Sequence, residues 1–161
     1  MNDVINAIVE ITSGSKNKYE IDKKSGRIKL DRVINSLNVY PAEYGTIEET
    51  LSPDGDPLDI LILSNEKTYP GCIIPARVLG YLDMVDNGLL DYKLIAVVDV
   101  DPKFKEINDL DDLDEITLKE IKNFFEYYKS LDDIEVSVGS FHKKDEALKI
   151  IEECKKRYNE V

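Results

Sequence analysis

The chain is 161 residues long and carries 21 Lys plus Arg against 33 Asp plus Glu, a formal net charge of −12. That length suits a single domain over residues 1–161, and the acidic balance excludes a surface built to grip nucleic acid or an anionic membrane. An apolar content of 42%, with 8 glycines and 6 prolines, excludes a disordered or collagen-like chain.

The opening MNDVINAIVE carries Asp3 and lacks a basic region followed by a long apolar stretch. No later segment approaches the ~18 uninterrupted apolar residues of a membrane span, so a cytoplasmic location is expected. Alternating and β-rich stretches predict strands over 4–11, 18–22, 27–33, 58–63, 72–85 and 91–99. Turn signals separate them at Ser13-Gly14-Ser15, Ser25-Gly26, Pro53 through Pro57, Pro70-Gly71 and Asn87-Gly88, a spacing that suits an antiparallel barrel or sandwich. Asn87-Gly88 predicts a tight hairpin. The acidic run from Asn108 to Glu115 reads as a solvated loop. Thr117 with Glu120 then reads as a capping box, and Leu118, Ile121, Phe124, Phe125, Tyr128 and Leu131 form an apolar stripe, predicting a helix over 117–130. Val136, Val138 and Phe141 predict a strand, and Ala147, Ile150, Ile151, Cys154 and Tyr158 a C-terminal helix. Helices following strands, with no fixed-period repeat, place the chain in the α+β class.

Familiar sites fall away by inspection. Cys72 and Cys154 form no C-x-x-C pair and read as buried reduced thiols. His142 is the only histidine, so zinc sites of the H-E-x-x-H type and a Ser-His-Asp triad have little to work with, and His142 itself reads as a surface residue. No glycine-rich nucleotide loop occurs, which leaves carboxylates to carry the chemistry. In Asp54-Gly55-Asp56-Pro57-Leu58-Asp59-Ile60 three of them crowd a turn that enters an apolar strand. Asp59 inside that strand is costly unless a cation compensates it, and a hard divalent ion is the usual answer to such crowding. A calcium hand counted from Asp54 fails, because Asp59 and Asn65 stand where Gly and Glu are required; a metal site and a plain acidic turn both remain. Asp86 and Asp91 flank the Asn87-Gly88 turn, with Lys93 on the same strand face as Asp91. Lys18 and Glu20 share another strand face, and Arg32, Tyr40 and Tyr44 follow. Each group alone reads as surface. Together they supply what metal-assisted phosphate hydrolysis needs: acids for ions, cations and phenols for phosphate oxygens, and a spare carboxylate for a proton.

These residues resemble the family I soluble inorganic pyrophosphatases. The Asp-Gly-Asp-Pro-Leu-Asp-Ile motif matches that family's signature. The flanking landmarks follow in family order: Val9-Glu10-Ile11, Lys18-Tyr19-Glu20-Ile21-Asp22, Asp31-Arg32, Tyr40-Pro41-Ala42-Glu43-Tyr44-Gly45, Pro70-Gly71 and Phe124-Phe125-Glu126-Tyr127-Tyr128-Lys129. The resemblance implies a five-stranded OB-like β-barrel with two main α-helices packed outside. It also implies hydrolysis of pyrophosphate to two phosphates with several Mg2+ ions, Mn2+ being a possible substitute. Carried over by position, Asp54, Asp59 and Asp91 would hold one ion, Asp59 would border a second, and Asp86 would join Asp91 at a third. Asp56 would be the general base. Glu20 and, more loosely, Glu10 would act on further metal or its water, and Lys18, Arg32, Tyr44, Lys93, Tyr128 and Lys129 would meet phosphate, with Tyr40 lining the cavity. Departures are few: Thr12 replaces a usual Pro, Phe141 a common Trp, and Asn123 and Tyr127 stand where some bacterial relatives carry histidines. The resemblance further implies a homo-oligomer, with a hexamer expected. A phosphohydrolase for a larger phosphorylated substrate and a non-catalytic metal-binding scaffold are the competing readings.

Overall fold

The computed structural model describes residues 2–161. Its strands are β1 (Val4–Ile11), β2 (Asn17–Ile21), β3 (Ile28–Val33), β4 (Glu43–Ile47), β5 (Leu58–Leu63), β6 (Ile73–Asp86), β7 (Leu89–Val98) and β8 (Val136–Lys143). Two α-helices follow the barrel strands, α1 (Glu115–Tyr127) before β8 and α2 (Lys144–Asn159) after it. The sheet runs β1-β4-β5-β7-β6, and a β1–β6 pairing closes it into the expected five-stranded ring, leaving β8 as a sixth strand on β6. All the ring pairings are antiparallel except β5 with β7. β2 and β3 form a hairpin that belongs to no other sheet. Among the described residues no helix is long and apolar enough to cross a membrane.

Both faces of the barrel strands are buried, which is why β5 reads as a nearly continuous apolar run. Leu58, Ile60 and Ile62 point to a core completed by Ala147, Ile150, Ile151 and Cys154 of α2. Leu61, one residue out of phase, points with Ile95 and Val97 to a second core completed by Ile121, Phe124 and Phe125 of α1 and by Tyr128. Asp59 has the same parity as Leu61, so its carboxyl faces the α1 side. At the Asn87-Gly88 turn both residues have positive φ, 51° and 81°, as a two-residue hairpin between right-twisted strands requires. Gly45 is fixed by close approach, because a Cβ there would stand 1.9 Å from the Ile8 carbonyl oxygen.

Several expectations need correction. β4 was absent from the predicted strands, although four of its five residues are buried. Its Glu43 is fully buried and accepts the Ser13 and Thr68 N–H groups at 3.1 and 2.7 Å. Helix α1 begins two residues before the predicted start. Asp114 is its N-cap and accepts the Thr117 N–H at 2.8 Å, so Thr117 is a donor inside the first turn and not the cap. The acidic run is not simply solvated. A 3-10 turn over 110–112, closed by reciprocal caps from Asp109 and Asp112, buries Leu110 in the second core. His142 is half-buried, stacked on Tyr81 with ring centroids 4.5 Å apart and held between Asp83 (2.7 Å) and Glu146 (2.8 Å). Both cysteines are free thiols, Cys154 buried and Cys72 only partly so.

Candidate active site

Where the Asp54-to-Asp59 turn enters β5, the chain bends at Gly55 (φ 90°), and the Ser52 N–H donates to the Asp56 carbonyl at 2.7 Å. The Asp54 carboxylate accepts the Asp56 N–H at 3.0 Å, so one side chain stiffens the turn that presents the other. Asp59 follows on β5, directly beside Lys93 in the parallel β5–β7 register. Asp91 lies two residues earlier on β7, and Asp86 closes β6 at the hairpin end. Tyr128 and Lys129 arrive from the end of α1, while Lys18 and Arg32 face each other across the β2–β3 hairpin.

These side chains converge on one cavity of ≈ 780 Å³. Asp54, Asp56, Asp59, Asp86 and Asp91 line it, as do Lys18, Arg32, Tyr44, Lys93, Tyr128 and Lys129, with Glu10 and Tyr40. Glu20 alone among the candidates is not brought there. It stands exposed on β2 beside a smaller cleft of ≈ 140 Å³, which shares Glu10 as a wall.

Lys93 organises the floor. Only 4% of its side chain is exposed, and its ammonium donates to the Tyr44 hydroxyl at 2.7 Å, Asp59 at 2.8 Å and Asp91 at 3.0 Å. Burial opposes its charge, but its acidic neighbours, the Asp59 carboxylate first among them, outweigh burial and hold its pKa well above the ordinary lysine value. Desolvation raises Asp91, with Lys93 pulling back and Asp59 and Asp54 pushing further up. It likewise raises Asp54, Glu10, Tyr40, Tyr44 and Tyr128, so the phenols stay neutral donors at pH 7. At the opposite wall Asp86 accepts from both Tyr128 (2.9 Å) and Lys129 (2.6 Å). Arg32 is 63% exposed, with Asp31 at 3.8 Å as its ion-pair partner, and among the described residues Lys18 forms no salt bridge. Asp56 is exposed and forms no ion pair among the described residues.

The donor set suits a hard divalent cation: seven carboxylates line the cavity, those of Glu10 and six aspartates, and neither cysteine nor the histidine does. Among the described residues no three acidic, His or Cys side chains are gathered at coordinating separation. Asp59 and Asp91 both pair with the Lys93 ammonium, a positive charge lying between them. Sequence reasoning missed Thr46, paired with Asp59 across β4–β5, and the rim residues Asn35 and Asp132, which also line the cavity. Nothing local in the chain marks any of the three.

The family model described as "Inorganic pyrophosphatase" matches residues 7–159. The chain is 50% identical over 159 residues to an inorganic pyrophosphatase of Geobacillus stearothermophilus, covering 99% of this chain and 96% of the relative. It is 52% identical over 155 residues to one from Halalkalibacterium halodurans, covering 96% and 95%. Among solved structures, the inorganic pyrophosphatase of Thermus thermophilus superposes with a TM-score of 0.90 at 41% identity, covering 98% of this chain and 92% of that one.

Proposed function

Because the chain belongs to the family I soluble inorganic pyrophosphatases and so hydrolyses pyrophosphate to two phosphates, we propose that it does so with Asp56 as general base at a magnesium-dependent site. The observation that carries this reading is one cavity lined by six aspartates together with Lys18 and Arg32. Asp54, Asp59 and Asp91 would hold one ion, Asp59 would border a second, and Asp86 with Asp91 would hold a third. Glu20, with Glu10 between it and the cavity, would act on further ions or their water. Bound Mg2+ supplies neutralisation of substrate charge and acidification of water, and Mn2+ offers the same chemistry.

The protein's own groups divide the remaining work. Lys18 and Arg32, free of strong pairing, receive phosphate oxygens, Arg32 through two parallel N–H bonds that an ammonium cannot copy. Lys129 and Tyr128 turn from Asp86 toward the second phosphate, and Tyr44 and Lys93 fix the floor against which Tyr40 packs. Asp56 takes a proton from the attacking water. As the new O–P bond forms in line, the bond from phosphorus to the bridging oxygen breaks, and the departing phosphate's charge is met by the surrounding cations.

Phosphate release from pyrophosphate, ATP and a sugar phosphate, each with Mg2+ and then with a chelator, tests the reading. Fast, chelator-sensitive release from pyrophosphate alone is expected. Comparable rates on all three would move the assignment to a broader phosphohydrolase. We also propose a homo-oligomer, with a hexamer as the expected form. Sedimentation velocity distinguishes it from a monomer.

A further inference from the structure

The hairpin β2–β3 carries Lys18 and Arg32, yet it pairs with no strand of the barrel, and every residue of β3 is exposed. A two-stranded ribbon is marginal by itself. Besides the packing of Ile34 against the second core, what ties the Arg32 end of this ribbon across to the opposite wall is a side-chain hydrogen bond. The Asn35 side-chain amide donates to the Asp132 carboxylate at 2.8 Å, joining residues 97 positions apart. Both side chains are exposed and both line the cavity, so their bond lies at its rim. Each is coupled to a phosphate-facing cation three residues upstream. Arg32 precedes Asn35 at the end of β3, where the Ile34 N–H is pinned to the Lys16 carbonyl at 2.7 Å. Lys129 begins the 3-10 turn over 130–132, and the Asp132 N–H returns to the Lys129 carbonyl at 3.1 Å.

We propose that Asn35 and Asp132 form a latch across the cavity mouth that positions Arg32 relative to Lys129 and favours diphosphate over longer phosphate chains. This rests on the reading of Arg32 and Lys129 as phosphate-binding residues. The latch ties the segment that carries Arg32 to the segment that carries Lys129, so the two cations keep a fixed relation across the cavity. It also sets a carboxylate, Asp132, at the rim where a third phosphate of a longer chain emerges, and like charges repel there. Neither residue touches the reacting atoms. They are positioning residues, and their loss weakens ground-state and transition-state binding alike, which appears in KM and not in kcat.

Steady-state kinetics on pyrophosphate and inorganic triphosphate test this in Asn35→Ala, Asp132→Ala, the double variant and the exchange Asn35→Asp/Asp132→Asn. Each single variant is expected to raise the pyrophosphate KM about three- to tenfold, the scale of one hydrogen bond, with kcat within about twofold. The triphosphate-to-pyrophosphate ratio of kcat/KM is expected to rise with it. The double variant is expected to be no worse than either single one, since both remove the same bond. The exchange, which restores the bond with donor and acceptor reversed, is expected to return KM toward wild type. Unchanged KM and ratio in the single variants, full additivity in the double, or no rescue by the exchange overturns the latch. Arg32→Lys run alongside separates the two levels. If Arg32→Lys is impaired while Asn35→Ala is normal, only the latch falls; if Arg32→Lys is fully active, the phosphate-binding reading beneath it falls.

Discussion

Replacing Lys93 with methionine removes the one ammonium that satisfies three groups at once while roughly keeping the side-chain volume. In the wild type Asp91 is 10% exposed and Asp59 24% exposed, and both accept from Lys93. Without it two carboxylates face each other, and the buried Tyr44 hydroxyl loses its partner. Removing one member of a buried ion pair costs about 3–5 kcal/mol. Asp59 can draw on solvent, so about 3–4 kcal/mol is the expected loss, and at ~2–4 °C per kcal/mol for a chain of this size the melting temperature should fall by about 6–16 °C. The vacated position is then open to a cation that pays no competition with an ammonium. Differential scanning fluorimetry with and without Mg2+ should therefore show a larger magnesium-induced rise in Lys93→Met than in the wild type, since ligand stabilisation grows with affinity for the folded state. Sodium at matched ionic strength should do much less. A variant that melts within about 2 °C of wild type, less than 1 kcal/mol at this size, or that gains less from magnesium, would refute the idea that Lys93 holds Asp59 and Asp91 in place of an ion.

Two other outcomes are expected. Asp56→Asn should lower kcat by about 10²-fold or more, the scale of general-base loss, with magnesium affinity by titration calorimetry nearly unchanged; near-normal turnover sinks the assignment. His142 should make stability pH-dependent. The Asp83 hydrogen bond, opposed by desolvation and aided by Glu146, raises its folded pKa above the ordinary value, so its contribution is complete below about pH 6.5 and disappears as pH climbs through the raised value. Urea denaturation across pH 6–9 should show this decline, and His142→Gln should flatten it; parallel profiles for the two proteins would remove His142 from the linkage.

What could be read from the chain was what is local. Strands β1 and β5 have the bounds that alternation and apolar runs predict, and Asn87-Gly88 turns as its residue types require. β4 escaped because its two odd members are explained only at a distance. Glu43 tolerates burial through N–H groups 30 and 25 residues away, and Gly45 is needed because the Ile8 backbone crosses it. At the start of α1 the capping box read at Thr117 was overridden by Asp114, which holds the cap three residues earlier. The acid cluster was legible because Asp54, Asp56 and Asp59 share one turn, and family landmarks extended it to Arg32 and Lys129. The hold of Lys93 on Asp59 was not legible, since it depends on a parallel pairing between strands separated by the whole of β6. Asn35 and Asp132 gave no local sign for the same reason.

That parallel pairing also bears on how the enzyme is made and lost. The β6–β7 hairpin closes through a two-residue turn, a microsecond event, and brings Asp86, Asp91 and Lys93 together from contiguous sequence. Asp59 joins only when β5 docks beside β7 across a separation of 34 residues, and loop entropy defers such non-local contacts. Asp86, Asp91 and Lys93 thus assemble locally, while the place of Asp59 beside Lys93 waits on that later docking. Interactions absent from the transition state act on escape from the native state and not on arrival. Ions held as proposed by Asp59 and Asp91 together would therefore act as a brake on unfolding, lengthening the lifetime of each completed molecule while leaving the pace of its formation to the hairpin and the closing ring.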